Sequence, residues 1–247
     1  QYVPGDDVRH IDWKASARTR DPLMKKYEEE RELSILLVLD LSRSGSFGTQ
    51  ERTKREILQE TAAMLAHAAS IAGDKVGIIT FAEKIIEVMP PKKGKAPLHR
   101  VLAACFADPI GDQGTRLDLA LKRAHQMLKH TGVVFVLSDF EAKDYEQPLL
   151  QLGHGHDVIA VRAWSAKEEK IPPIGWITLE DPETGKVSRV DTSSYRFQNW
   201  QKLKSEKKEK DIRTLFLRSK VEDLSIETEG DVFRRLVVFF SSRSQRR

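Results

Sequence analysis

The chain carries the stretch Ser34-Ile-Leu-Leu-Val-Leu-Asp-Leu-Ser-Arg-Ser-Gly-Ser46, an apolar run that ends in an aspartate and alternating serines. A run of branched aliphatic residues without polar alternation, here Ile35 to Leu39, is typical of a strand covered on both faces of a parallel sheet. Such sheets bind ligands just beyond the carboxyl ends of their strands. Asp40, Ser42 and Ser44 follow at that end, so one carboxylate and two hydroxyls are predicted to converge there.

The pattern D-x-S-x-S after a central strand resembles the metal-ion-dependent adhesion site of von Willebrand factor A domains. In that family, a threonine in a later loop and an aspartate at the end of the fourth strand complete the site. Both occur here in that order, because Thr115 opens an amphipathic helix pattern and Asp139 ends a second apolar run that begins at Val133. The resemblance implies five metal-site residues: Asp40, Ser42, Ser44, Thr115 and Asp139.

The side chains in this pattern indicate which ion the site would hold. Two carboxylates and three hydroxyls suit a hard cation that keeps water in its shell, which favours Mg²⁺ over zinc. Mn²⁺ and Ca²⁺ are the alternatives. In the family that the pattern resembles, the ion takes a carboxylate from a partner protein as its remaining ligand. The resemblance therefore implies a non-enzymatic, Mg²⁺-dependent protein-interaction module.

The segment 1–32 points to a more specific family than the metal-site pattern does. It contains Pro4-Gly-Asp-Asp7, then Arg9, Ile11-Asp-Trp13 and Ser16-Ala-Arg18. This combination before a von Willebrand A-like domain resembles the bacterial proteins of domain-of-unknown-function family 58, which are associated with MoxR-type AAA+ ATPases. The resemblance implies an adaptor of such an ATPase in complex assembly or metal insertion. From the residues alone we expect a polar arm that Ile11 and Trp13 attach to the domain.

Helical and strand patterns alternate along the rest of the chain. Helices are predicted near 51–73, 98–106, 117–128, 148–152 and 193–220, with a last one that has Phe233, Leu236, Val237 and Phe240 on one face. Strands are predicted near 75–82, 84–89, 133–139, 157–164 and 224–228, and a loop over 90–97. This alternation predicts an α/β fold with a doubly wound, mostly parallel, Rossmann-type sheet flanked by helices.

The same patterns divide the chain into four segments. We expect an N-terminal arm over 1–32 and a von Willebrand A-like core over 33–165. Strand patterns around a turn at 181–185 predict a β-hairpin insertion over 166–192. A helix, strand and helix over 193–247 are expected to complete the same domain as the core.

Composition limits the location and the partners of the protein. The apolar runs are far shorter than the roughly 20 residues of a membrane-spanning helix. A single cysteine, Cys105, favours a reducing compartment. We therefore expect a cytoplasmic protein, or the cytoplasmic part of one anchored through a missing upstream segment. The net charge is only +4 and its charges are interleaved, which argues against nucleic-acid binding.

The sequence offers two alternatives to the adhesion-type site. A haloacid-dehalogenase-type phosphohydrolase would use Asp40 as nucleophile with Asp139 and Asp144 near the metal. That chemistry needs an acid two residues after the nucleophile, where this chain has Ser42. A zinc site at His154, His156 and Asp157 is the second alternative, but no further cluster of ligands supports it.

Overall fold

The computed structural model describes residues 7–19, 21–24, 32–42, 52–107, 114–165, 173–180 and 187–245. The chain falls into two compact units, 1–32 and 33–247. The finer division of the second unit at 165 and 192 stays a prediction.

The described residues of the unit 1–32 form a short 3-10 turn, Val8–His10, and a helix, α1, Trp13–Thr19. Asp12 caps this helix. Its Oδ1 accepts hydrogen bonds from the backbone N–H groups of Lys14 and Ala15, each at 3.1 Å. An aspartate in this position satisfies backbone donors that the first turn of a helix leaves without partners. The aspartate of the Ile-Asp-Trp motif, Asp12, therefore has a structural role as the N-cap of α1.

The two apolar residues expected to attach the arm to the domain, Ile11 and Trp13, differ in burial. Ile11 is buried and forms an isolated antiparallel bridge with Met24. Trp13 is 71% exposed, and the attachment of the arm to the domain stays a prediction. The position of Trp13 at the start of α1 leaves the indole in solvent.

The second unit consists of alternating strands and helices. Its strands are β1 Ser34–Asp40, β2 Lys75–Phe81, β3 Ile85–Lys92, β4 Val133–Leu137, β5 Asp157–Trp164, β6 Trp176–Glu180, β7 Val187–Asp191 and β8 Val221–Glu227. Its helices are α2 Lys54–Ile71, α3 Lys95–Cys105, α4 Leu117–Met127, α5 Glu146–Gly155, α6 Tyr195–Arg218 and α7 Val232–Ser244. No helix of the described residues has the length and apolar character needed to cross a membrane.

Six of these strands form one sheet in the order β3-β2-β1-β4-β5-β8. All neighbours in it are parallel except β3, which runs antiparallel to β2 at the edge. The predicted α/β class with a mostly parallel sheet is therefore confirmed. β6 and β7 form a separate antiparallel pair. The turn expected between them at 181–185 lies outside the described residues.

The central strand β1 is buried on both faces, which explains its unbroken apolar sequence. Ile35, Leu37 and Leu39 belong to a core cluster with side chains of α2, α3 and α7. Leu36 and Val38 belong to a second cluster with side chains of α4, α5 and α6. Successive side chains of a strand point to opposite faces, so β1 packs against a layer of helices on each face of the sheet.

Two expected boundaries were wrong. β3 continues through Pro90 and Pro91 to Lys92, and α3 begins at Lys95, so little of the loop predicted over 90–97 remains. Proline lacks the backbone N–H of a sheet ladder and is tolerated on an edge strand, which is where β3 lies. β8 starts at Val221, earlier than expected, because it pairs with β5 from that residue onward.

The face predicted for the last helix was also partly wrong. Val232 and Leu236 of α7 are buried, whereas Phe233 is 65% exposed and Val237 is 47% exposed. Residues four apart lie on one side of a helix, so the pair 232 and 236 defines the side that packs on the core. A phenylalanine at 233 and a valine at 237 follow the same spacing one residue later. The sequence pattern alone therefore did not separate the two sides.

Cys105 lies fully buried at the end of α3. Burial raises the pKa of its thiol to about 12. A thiol with such a high pKa holds little of the reactive thiolate at neutral pH. Cys105 is therefore a packing residue of the core.

Candidate metal centre

β1 delivers Asp40 to the carboxyl edge of the sheet. Asp40 is the last residue of that strand and pairs in parallel register with Phe81 of β2. Its side chain is almost completely shielded from solvent, with 4% of the residue exposed. A carboxylate in such a place needs hydrogen-bond partners or a cation to offset the loss of water.

Hydrogen bonds hold both oxygens of this carboxylate. The Ser138 Oγ donates to Asp40 Oδ2 at 2.7 Å, and the backbone N–H of Ser42 donates to Asp40 Oδ1 at 2.9 Å. Each carboxylate oxygen has two lone pairs, so each retains acceptor capacity for a further ligand. The carboxylate is thus fixed in orientation without being saturated.

A second acid lies at the same edge. β4 runs parallel to β1 with Leu39 opposite Leu137, and Asp139 follows two residues after that pair. Asp139 is half-buried, and its Oδ1 accepts a hydrogen bond from the backbone N–H of Glu141 at 3.0 Å. The two acids therefore meet beside each other at the ends of neighbouring strands.

The proximity of these acids affects the ionisation of Asp40. Burial raises the pKa of Asp40 to about 6, and the charge of Asp139 adds to the rise. Hydrogen bonds from Ser138 and Ser42 oppose it. Bringing two carboxylates together with little water is unfavourable unless a positive charge is supplied, and a divalent cation is one way to supply it.

The loop that carries Thr115 is fastened to the same edge. The backbone N–H of Arg116 donates to the carbonyl of Ala82 at 2.8 Å, and Ala82 directly follows β2. Thr115 therefore lies next to the end of β2, the strand that neighbours β1 on the side away from β4. Thr115 is half-buried and precedes α4.

The structure thus brings four of the five residues implied by the sequence to one edge of the sheet. Ser42 is buried, with 4% exposed, directly after Asp40. Ser44 lies outside the described residues. The donor set of Asp40, Asp139, Ser42 and Thr115 consists of oxygens only, which fits a hard divalent cation.

Sequence reasoning missed Ser138. Its side chain is fully buried and contacts Asp40 directly. The signal was present, because a polar residue that follows the apolar run of β4 stands immediately before Asp139. Without the register between β1 and β4, however, its partner across the sheet was not predictable.

The residues of the zinc and phosphohydrolase alternatives do not form a comparable cluster in the part of the chain that the structure describes. His154 Nδ1 donates to the Leu150 carbonyl at 2.7 Å, and His156 Nδ1 accepts from the Gly132 N–H at 3.4 Å. Within the described ranges, no three histidine, cysteine, aspartate or glutamate side chains gather as a metal-binding group. Asp144 lies in the loop before α5 with φ of +60°. These positions do not favour the zinc alternative.

Comparison with known proteins places the sequence among bacterial relatives. A family model described as "Protein of unknown function DUF58" matches residues 1–210. An uncharacterized protein of Mycobacterium tuberculosis is 30% identical over 189 residues, which cover 75% of this chain and 60% of that protein. Uncharacterized protein YeaD of Bacillus subtilis is 29% identical over 115 residues, 44% of this chain and 27% of its own length. The chain thus spans about 60% of the length of the mycobacterial relative.

Two crystal structures have a similar fold. BatB from Bacteroides thetaiotaomicron, a conserved hypothetical protein, has a TM-score of 0.56 at 16% identity, covering 86% of this chain and 99% of BatB. An aerotolerance-related membrane protein from Bacteroides fragilis has a TM-score of 0.55 at 14% identity, covering 83% of this chain and 96% of that one. At these identities the likeness shows the fold alone.

Proposed function

We propose that this chain, which belongs to the DUF58 family and has the von Willebrand A-like α/β fold expected from its sequence, is a non-enzymatic, Mg²⁺-dependent protein-interaction module. The observation that carries the proposal is the meeting of two acids, buried Asp40 and half-buried Asp139, at the ends of adjacent parallel strands. Ser42 and the Thr115 loop stand at the same edge. Ser44 is included among the proposed ligands by its place in the D-x-S-x-S pattern.

Each of these residues has a separate task in the proposed site. Asp40 and Asp139 supply negative charge, directly or through water. Ser42, Ser44 and Thr115 supply neutral hydroxyl oxygens. A bound divalent ion would supply a Lewis-acidic position that a carboxylate of a partner protein completes. Since three of the five proposed ligands are neutral, the site leaves the charge of such an ion incompletely offset.

The partner that we propose is a MoxR-type AAA+ ATPase, with this chain as its adaptor in complex assembly or metal insertion. The support is the family membership and the arm motifs within 1–32 that carry the resemblance. We place the protein in the cytoplasm, or on the cytoplasmic side of a membrane anchor. The membrane-protein description of the structurally similar Bacteroides fragilis protein supports the second arrangement.

The phosphohydrolase alternative receives no support from the arrangement of Asp40. A nucleophilic carboxylate must reach the substrate phosphorus, whereas Asp40 is 4% exposed and both of its oxygens accept hydrogen bonds. The position two residues later, where a general acid is needed, holds Ser42.

The adaptor proposal predicts that binding to the MoxR-type ATPase of the source organism depends on this site. We expect Asp139→Ala to weaken binding at least about 30-fold in Mg²⁺ buffer, since truncating a hot-spot residue near the centre of an interface costs about 2 kcal/mol or more. The affinity is measured by biolayer interferometry on the purified proteins. An AAA+ ATPase binds Mg²⁺ with its own nucleotide, so the variant isolates the site better than a chelator does.

The matched control is Asp211→Asn, which changes an exposed carboxylate on α6 and should leave the affinity unchanged. Equal binding by the wild type and Asp139→Ala would show that the interaction does not use the metal site. No binding by the wild type would overturn the adaptor role.

A further inference from the structure

We infer that Ser138 is the positioning residue of the metal site, and that its hydroxyl sets the spacing between the two carboxylates; this inference rests on the proposed function. Ser138 follows β4 and precedes Asp139, yet its side chain points to the other acid. Its Oγ donates to Asp40 Oδ2 at 2.7 Å. The same Oγ accepts the backbone N–H of Phe140 at 3.1 Å. One hydroxyl therefore joins Asp40 to the loop that carries Asp139.

The direction of these hydrogen bonds gives the hydroxyl a defined role. Because the Phe140 N–H can only donate, it occupies a lone pair of Ser138 Oγ and leaves the hydroxyl proton for Asp40. The Ser42 N–H holds the other oxygen of Asp40 at 2.9 Å. With donors on both oxygens, the carboxylate cannot rotate without breaking a hydrogen bond. The lone pairs that remain are the ones offered to a cation.

The backbone of the Asp139 loop needs such support. Phe140 has φ of +57°, in the left-handed region that a bulky residue rarely adopts. Its ring packs edge-on against Phe216 of α6 at 5.2 Å and Tyr145 at 5.7 Å between centroids. Ser138 is fully buried, so water does not replace its hydroxyl readily. The ring contacts and the Ser138 hydrogen bond together hold the loop in this conformation.

Removal of the hydroxyl should therefore affect ion binding more than folding. Two carboxylates repel each other, and a site whose ligands are not held in place must be assembled when the ion binds. Residues that orient metal ligands without touching the metal typically contribute 10- to 100-fold in affinity. We expect Ser138→Ala to raise the Kd for Mg²⁺ by about 10- to 100-fold.

The experiment is calorimetric titration of the full chain with Mg²⁺, paired with the thermal unfolding midpoint in chelator. Ser138→Thr retains the hydroxyl and should bind Mg²⁺ within about 3-fold of the wild type. A purely structural role predicts instead that Mg²⁺ affinity follows the unfolding midpoint in chelator across the variants. Ser138→Cys has nearly the size of serine but hydrogen-bonds weakly, so it should lose affinity as alanine does. If Ser138→Ala does not fold, the Mg²⁺ affinity of Ser138→Cys tests the inference instead.

Thr80→Val is the matched control. Thr80 is fully buried on β2, and its hydroxyl has no hydrogen-bond partner among the described residues, so its removal should leave the Kd unchanged. Mg²⁺ binding by Ser138→Ala or Ser138→Cys within about 2-fold of the wild type would overturn the inference. A threonine variant that binds as weakly as alanine while keeping the wild-type unfolding midpoint in chelator would also overturn it. Absence of binding to the wild type would instead overturn the metal site and this inference with it.

Discussion

Asp40→Asn is expected to weaken Mg²⁺ binding by about 100-fold or more, because it removes a charge at the centre of the proposed ligand set. The substitution keeps the size of the side chain and one carbonyl oxygen, so one of the two donors, the Ser138 hydroxyl or the Ser42 N–H, retains its acceptor and the other loses it. Calorimetric titration of the wild type and the variant measures the effect. A smaller effect on Ser138→Ala than on Asp40→Asn would agree with a positioning role for the serine.

Asp40→Asn should weaken Mg²⁺ binding without a matching loss of folding stability. Comparing the two quantities distinguishes loss of the metal site from loss of structure. Burial, together with the charge of Asp139, raises the pKa of Asp40 to about 6 from 3.8. A carboxyl whose pKa is higher in the folded state destabilises the fold above both values. Neutral asparagine removes this cost but leaves one buried donor without an acceptor, and the two effects oppose each other, so the unfolding temperature in chelator at pH 7.5 should stay close to that of the wild type. Mg²⁺ at about 100 times the wild-type Kd should stabilise the wild type by about 2.7 kcal/mol and the variant by less than about 0.5 kcal/mol.

The exposed Asp211→Asn serves as the control for the loss of one carboxylate. It should bind Mg²⁺ like the wild type. If Asp40→Asn retains wild-type affinity, Asp40 is not part of a metal site, and its hydrogen bonds to Ser138 and Ser42 serve the fold alone.

Gly153→Ala is expected to destabilise the fold by about 3 kcal/mol, which lowers Tm by roughly 10 °C in a chain of this size. A Cβ at Gly153 of α5 would lie 1.9 Å from the carbonyl oxygen of Ser219, at the junction of α6 and β8. The obstacle is backbone, so no side-chain rotation relieves it. The helix must move away from the core, and Leu149 and Leu152 on the same helix lose packing. Denaturant unfolding followed by circular dichroism measures the loss.

Gly155→Ala in the same helix is the matched control. Its Cβ would lie 3.7 Å from His125 Cε1, an ordinary contact. We expect its stability to stay within about 0.5 kcal/mol of the wild type. Equal unfolding midpoints for the two variants would show that α5 does not approach Ser219 as closely as the structure indicates.

The central strands were predictable because their burial leaves a direct mark on the sequence. A strand covered on both faces, such as β1 or β4, has no polar alternation, and this pattern placed both within the sheet. The last helix, α7, was harder, since Phe233 and Leu236 are equally apolar but only Leu236 is buried. Hydrophobicity reports that a helix packs, whereas the angle at which it packs depends on the tertiary structure.

The sequence predicted the acids of the candidate site but not the hydrogen bond that orients one of them. The positions of Asp40 and Asp139 at strand ends follow from the apolar runs before them, and parallel strands bring such ends to one edge. The hydrogen bond from Ser138 to Asp40 spans 98 residues of sequence. It depends on the register of β1 against β4, which no local pattern encodes.

The most direct test of the account is the location of the ion itself. A crystal of the chain grown with Mn²⁺ should show an anomalous difference peak between Asp40 and Asp139, with the hydroxyls of Ser42, Ser44 and Thr115 oriented toward it. Such a peak would place the ion where the proposed function requires it. No peak at this edge of the sheet, or one confined to a different part of the molecule such as His154 and His156, would contradict the account.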